Sequence, residues 1–350
     1  MADVPDNETL KQWVCQFFPD EWPNAATQDM KTKQVSHGYN TVILIVDRGS
    51  GVREPQTVVV RIRKGEEDED PLKMSDNEQE ETSRAFAGTG WGAAVYCVFP
   101  GGRVDEFVAG HCLTQREAEE PLVRSQVARS YSHFHSLNLP CDRSRSQVFD
   151  QTMIRWFDPR TLLTCIGTEH GINAVILYDY GKTYDRILQR LEGMGAKKCW
   201  CLIDTNFLNV LVRDQPLPHQ QPVVLIDFEF VTYHFRAFDV GGHFLEKRIR
   251  WNSPLETWSG SRPYSEEEER HFCSEYLTAA AALSANTVHP VTDSVDHLML
   301  ETGLGMLLRL IFDQFCLLRH VLRFGPDHSL LRIADWLHRL LLLRVHLLNE

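Results

Sequence analysis

What this chain lacks narrows its function before any motif is read. It has no excess of basic residues. Its 36 Lys and Arg stand against 48 Asp and Glu, a net charge of −12, whereas a dedicated nucleic-acid binder needs basic surface to displace counterions. A nucleotide needs only a few local positive groups and is not excluded. No apolar run is long enough to span a bilayer; the longest, residues 337–348, is broken by Arg339, Arg344 and His346 and reads as an amphipathic core helix. Closely spaced cysteines are scarce. Of nine, only Cys199 and Cys201 are near neighbours, and one intervening residue is poor spacing for a zinc site. The polar, acidic stretch of residues 1–8 does not resemble a secretory signal, so the thiols are expected to be free, in the reducing cytoplasm. There are no internal repeats.

What is present is an ordinary globular balance, 43% hydrophobic and 24% charged over 350 residues. That length exceeds what one core usually supports and predicts two lobes. Residues 35–63 read as strands, with the β-branched runs Val42-Ile43-Leu44-Ile45-Val46 and Val58-Val59-Val60-Arg61-Ile62 around a turn at residues 47–51. Residues 76–87 have helical composition, capped at Ser75 or Asp76. Residues 94–99 and 104–108, joined by Pro100-Gly101-Gly102, form a hairpin signal. Beyond Gly110 the character turns helical. Apolar steps of three and four predict helices over residues 125–137, 178–192, 266–283, 295–315 and 329–348, with short strand-like segments at 200–212 and 223–230. Strands first and helices after predict an α+β chain. A β-rich N-terminal lobe (residues 1–108) is expected to precede a mainly helical lobe (residues 109–350), with a ligand cleft between them.

The chemistry concentrates in Leu202-Ile203-Asp204-Thr205-Asn206-Phe207-Leu208-Asn209. An Asp is followed five residues later by an Asn, and a second strand then ends in Val224-Leu225-Ile226-Asp227-Phe228-Glu229. Phosphoryl transfer needs a carboxylate to orient the attacking hydroxyl and hard oxygen ligands for Mg2+. Asp204 suits the first task, Asn209 and Asp227 the second. Asp-x4-Asn alone is weak; coupled to the Ile-Asp-Phe-Glu segment it is far more specific. The bland alternative is that Asp204 and Asn209 cap turns and Asp227 ends a strand.

Residues 224–230, followed by Arg236-Ala237-Phe238-Asp239-Val240-Gly241-Gly242-His243-Phe244-Leu245-Glu246, resemble the choline/ethanolamine kinase family. Other stretches agree in order: Val35-Ser36-His37-Gly38-Tyr39-Asn40 with its phosphate loop, Val59-Val60-Arg61-Ile62 with its third strand, and residues 99–108 with its hinge hairpin. The resemblance implies a protein-kinase-like two-lobed fold and transfer of the γ-phosphate of ATP, with Mg2+, to the hydroxyl of choline or ethanolamine. Catalysis would fall to Asp204, Asn209 and Asp227, the last two on the metal. Ser36, His37, Gly38, Tyr39, Asn40 and Arg61 would hold phosphates, with Glu78, Glu80 or Glu81 orienting Arg61. Glu106, Phe107 and Val108 would meet the adenine through backbone groups. Glu229, Glu246 and Trp251 would face the substrate. The expected partners are ATP and a small amino alcohol, with a homodimer left open.

Three departures stand out. Leu202 replaces the family's histidine and cannot hydrogen-bond, so a looser catalytic loop is expected. The phosphate loop is altered at His37, Tyr39 and Asn40. The family's Trp-x-x-Trp pair, which cages quaternary ammonium by cation–π attraction, is absent from residues 301–306; Trp251, Trp258, Tyr264, Phe312 and Trp336 are other candidate walls. These departures leave two alternatives open: a kinase for another small hydroxyl compound, or a kinase-fold protein with a degenerate loop that binds or scaffolds.

Overall fold

The computed structural model describes residues 5–36, 41–49, 55–63, 70–167, 171–251, 253–254, 257–283 and 289–349. His37, Gly38, Tyr39 and Asn40 lie outside them. The elements in chain order are α1 (Asn7–Cys15), β1 (Lys31–Ser36), β2 (Thr41–Asp47), β3 (Thr57–Arg63), α2 (Asp76–Ala87), β4 (Val95–Phe99), β5 (Gly102–Glu106) and β6 (Gly110–Cys112). Then come α3 (Pro121–His135), α4 (Arg145–Arg155), α5 (Pro159–Ile166), α6 (Asn173–Leu177), α7 (Tyr180–Gly193), β7 (Lys198–Cys201), β8 (Val210–Arg213), β9 (Val223–Leu225), β10 (Thr232–Phe235), α8 (Ala237–Glu246), α9 (Glu266–Leu283), α10 (Val295–Phe324) and α11 (His328–Arg344).

The chain divides into two compact units. The first holds Met1–His111 and Leu211–Ile226, the second Cys112–Val210 and Asp227–Glu350. The first unit therefore runs past residue 108 and takes in a later excursion that the sequence boundary did not include. Its main sheet is antiparallel with strand order β1-β2-β3-β5-β4. The β-branched runs of β2 and β3 alternate inward, with Val42, Leu44, Val46, Val58 and Val60 buried with Leu10 and Val14 of α1 in one apolar core. Helix α2 starts as its sequence dictates. Ser75 and Glu78 close a capping box that satisfies two of the first-turn donors.

The second unit is mainly helical and is organised by the crossing of α8 and α10. The glycine pair in α8 hides a helix from pattern reading, yet the crossing requires small residues. A Cβ on Gly241 would lie 2.4 Å from the Met306 nitrogen, and one on Gly305 would lie 1.8 Å from the Ala237 carbonyl oxygen. Each helical glycine costs about 1 kcal/mol relative to alanine; the return is a backbone-to-backbone approach that brings the polar residues of both helices together. No described helix is long and apolar enough to cross a membrane.

Candidate active site

The loop after β7, on which the candidate residues Asp204 and Asn209 fall, is clamped by Asp239 of α8. Asp239 is fully buried. Its Oδ2 accepts the Leu202 N–H at 2.6 Å and its Oδ1 accepts the Ile203 N–H at 2.9 Å. His135 Nε2, at the end of α3, lies 2.9 Å from Oδ2, and His135 Nδ1 lies 2.8 Å from the Tyr276 hydroxyl. The loop expected to be looser for want of a histidine at 202 is held through its main chain instead, which any residue at 202 allows. Ile203 is thereby kept at φ +66, a conformation that is a true outlier for a β-branched residue and costs on the order of 1–3 kcal/mol. Asp227 also sits in the left-handed region, at φ +67.

Asp204 follows directly. Asn209 Nδ2 donates to its Oδ2 at 3.1 Å and to its carbonyl oxygen at 3.3 Å. Its Oδ1 accepts from Arg309 Nη2 at 3.0 Å. Asp204 and Asn209 are thus in direct contact, with Asn209 on a short helical turn over Phe207–Asn209. Asp227 begins the segment after β9; Phe228 stacks on Phe134 with centroids 5.5 Å apart, and Phe230 meets Phe312 edge-on at 5.5 Å. Glu229 is half-buried in the turn between those two anchored rings.

Arg309 is the residue that sequence reading missed. It is buried in α10, yet its guanidinium donates to three acceptors and is ion-paired with a further carboxylate. Nη1 donates to the Ile203 carbonyl at 2.6 Å, Nη2 to Asp204 and to Glu246 Oε1, each at 3.0 Å, and Nε lies 2.8 Å from Asp313 Oδ1. Burial opposes its charge, but Asp313, Asp204 and Glu246 together hold its pKa above the ordinary arginine value. Glu246 is fully buried; burial pushes its carboxyl up to about 8 against the pull of Arg309. Burial likewise pushes Asp313 up to about 6, again against Arg309. The signal was there to be found. Arg309 and Asp313 are an i,i+4 pair of opposite charges inside an otherwise apolar helical run, where a charge stays only if paired.

Trp251 donates its indole N–H to Glu246 Oε2 at 2.8 Å and stacks on Trp258, centroids 6.2 Å apart. Trp258, Tyr264 and Phe312 are buried core; of these walls, the half-buried Trp251 also lines a cavity of about 240 Å3 beside the loop, with Gln115, Asn206, Leu208 and Ser253. His243 is core as well: burial pushes it down to about 3, and it stacks on Phe272 at 4.8 Å.

In the first unit one expectation changes. Arg61 is not paired with the α2 glutamates. Its Nε bonds Asp105 Oδ2 at 2.9 Å, an oxygen shared with Arg103 Nε at 3.0 Å. The antiparallel register sets Arg61 opposite Arg103 and Val59 opposite Asp105, so the adjacent strand supplies the carboxylate. Glu78 serves the α2 cap and Glu80 bonds Arg84 at 2.8 Å, while Glu81 is exposed. Glu106 gives its backbone N–H to the Ala94 carbonyl at 2.7 Å. Its side chain accepts from the Ala94 N–H and from Arg213 at 2.7 Å. Its N–H is thus committed within the unit. Ser36 ends β1, after a register shift opposite β2.

Comparison with known proteins supplies the context. The family model "Choline/ethanolamine kinase" matches residues 32–321. A choline/ethanolamine kinase from Homo sapiens is 24% identical over 277 residues, which cover 77% of this chain and 68% of the relative. Among solved structures, choline kinase from Cryptosporidium parvum Iowa II is similar with a TM-score of 0.74 at 15% identity, over 97% of this chain and 95% of that one. The ternary complex of streptomycin, ATP and APH(2")-IIa gives a TM-score of 0.56 at 12% identity, over 99% of both chains. The fold is thus the protein-kinase-like α+β fold, with a small antiparallel sheet unit and a larger helical unit.

Proposed function

The chain belongs to the choline/ethanolamine kinase family, and we propose that it transfers the γ-phosphoryl group of ATP to the hydroxyl of a small amino alcohol of the choline or ethanolamine kind. The observation that carries this reading is the Asp204–Asn209 pair on a loop whose amides are clamped by the buried Asp239. Such a transfer is catalysed by positioning and electrostatics more than by covalent chemistry. Asp204 orients the acceptor hydroxyl and takes its proton. Asn209 spends its amide hydrogens on Asp204, which leaves its amide oxygen for a metal. Together with the Asp227 carboxylate it offers hard oxygen donors that fit Mg2+. When bound, Mg2+ neutralises charge on the β- and γ-phosphates. In the first unit, Arg61 with residues 36–40 would hold the phosphates, and Glu106, Phe107 and Val108 would meet the adenine through backbone groups. Arg61 is 19% exposed and its Nε is spent on Asp105, so its two Nη groups are the ones suited to a phosphate.

The test is product formation by the pure protein with magnesium-ATP and each alcohol, followed by mass spectrometry. Phosphocholine or phosphoethanolamine is the expected product. Asp204→Asn is expected to lower kcat by a factor on the order of 10²–10⁴ while the thermal shift given by magnesium-ATP persists. Absence of product from both alcohols, or an Asp204→Asn variant with most of its activity, would overturn the reading.

Arg309 favours one second reading. Its guanidinium already bridges Asp204 and Glu246, the carboxylates that family resemblance gives to the base and to the substrate. A built-in cation there suits an acceptor that brings none of its own. A panel of neutral hydroxyl compounds separates the two: turnover on one of them, with choline and ethanolamine inert, selects this alternative.

A further inference from the structure

We propose that Cys199, Cys201 and His135 form a binding site for a thiophilic divalent cation of the Zn2+ class, in the helical unit and linked through Asp239 to the catalytic loop. Residues i and i+2 of a strand point to one face. Cys199 and Cys201 on β7 do so, and their sulfurs lie 3.7 Å apart. Two thiolates on a tetrahedral Zn2+ with bonds of about 2.3 Å are separated by about 3.8 Å. The pair is therefore already at coordination distance.

The third ligand comes from a remote helix, which is why spacing along the chain does not announce it. One ring nitrogen of His135 and the two sulfurs all lie within 4.8 Å of one another. A tetrahedral site needs sulfur to nitrogen at about 3.6 Å, so closure asks for a movement of roughly 1 Å. His135 Nε2 faces the Asp239 carboxylate, the partner that metal-bound histidines commonly keep on their second nitrogen. Nδ1 is then the nitrogen for the metal, and the Tyr276 hydroxyl now at 2.8 Å gives way.

A fourth position is open. A cavity of about 180 Å3 is lined by His135, Cys199, Tyr276, Ser132, Lys197 and Arg236, several times the roughly 30 Å3 that one water occupies. The two cations on its wall do not repel an incoming metal strongly, because Lys197 is paired with Asp293 at 2.5 Å and Arg236 with Asp293 and Glu301. Cys199 is half-buried and faces this cavity, giving the ion a way in, while Cys201 is fully buried. Asp239 accepts both loop amides and His135, so the metal sits two hydrogen bonds from the backbone that precedes Asp204.

The whole chain, stripped with a chelator and reduced, would be titrated with Zn2+ against a chromophoric competitor and separately with Co2+. One equivalent is expected, with thiolate-to-cobalt charge-transfer absorption and the strong visible bands of a tetrahedral ion. Cys199→Ser is expected to weaken binding by at least about tenfold, and Cys165→Ser, at an exposed cysteine, to leave it unchanged. Zn2+ should also shield Cys199, but not Cys165, from iodoacetamide in the unmutated protein, a readout that holds even if Cys199→Ser folds poorly. No charge-transfer band, Zn2+ binding unaffected by Cys199→Ser, or alkylation of Cys199 at the same rate with and without Zn2+ would each overturn the site and leave a buried thiol pair of the core.

Discussion

Replacing Arg309 by methionine tests the electrostatic centre of this molecule. The guanidinium faces three carboxylates, and two of them, Glu246 and Asp313, have side chains 0% and 6% exposed. Breaking a buried pair by removing one partner costs about 3–5 kcal/mol, because the other charge is left uncompensated. The size of the loss should depend on pH, and its sign follows from the two acids. Burial holds Glu246 up to about 8 and Asp313 up to about 6, with Arg309 pulling both down. Without Arg309 both rise further. Carboxyls with raised folded-state pKa are neutral in the folded protein at acid pH and lose stability as pH climbs, since the unfolded chain ionises freely and the folded chain does not. The Asp313 part of the penalty should therefore be developed by about pH 8, whereas the Glu246 part, already half neutral there in the parent, should grow only as pH rises above about 8. At about pH 5 the penalty should shrink to the lost hydrogen bonds, on the order of 1–2 kcal/mol. Urea unfolding at the two pH values, followed by near-ultraviolet circular dichroism, measures both. An equal loss at the two pH values, or no loss at the higher one, would refute the picture of one guanidinium compensating buried acids.

Other substitutions probe the same architecture. Glu246→Gln should flatten the fall in stability that the parent shows as pH rises from 4.5 through about 8, read as melting temperature against pH; an unchanged profile would mean Glu246 stays ionised throughout. Asp239→Asn should lower kcat more than it raises the KM for ATP, because it weakens the clamp on Leu202 and Ile203 without touching the nucleotide; a pure KM effect would contradict that role. Gly305→Ala places a methyl 1.8 Å from the Ala237 carbonyl and should destabilise by about 1–3 kcal/mol or more. Gly303→Ala meets only the flexible end of Leu347 at 3.3 Å and should be neutral or stabilising by up to about 1 kcal/mol. Equal effects from the two would show that α8 and α10 do not cross at their backbones.

Much of this was legible along the chain, and the reasons differ by element. The α+β order, the β2 and β3 runs, the hairpin of β4 and β5, α2 with its Ser75 cap and α9 over Glu266–Leu283 all follow from local periodicity and capping. Helices α4, α5 and α6 carry too mixed a pattern to be assigned. Helix α8 was concealed by Gly241 and Gly242, and α10 runs on from residue 315 to Phe324. Residue identity could propose Asp204, Asn209 and Asp227 because a motif is a local property. It could not choose the partner of Arg61, which strand register assigns to Asp105 rather than to an α2 glutamate.

By itself the sequence determined the class of fold, the loop that carries Asp204 and Asn209, and the absence of the usual histidine at 202, since each is written in consecutive residues. Only the tertiary structure decided how that loop is held, by Asp239 through main-chain amides, and what faces it, Arg309 from a helix some hundred residues downstream. The physical reason is that a buried ion pair is chosen by proximity in space. Here that proximity depends on two glycines that let α8 and α10 touch, and periodicity along either helix alone records the apolar face but not the charge it will meet.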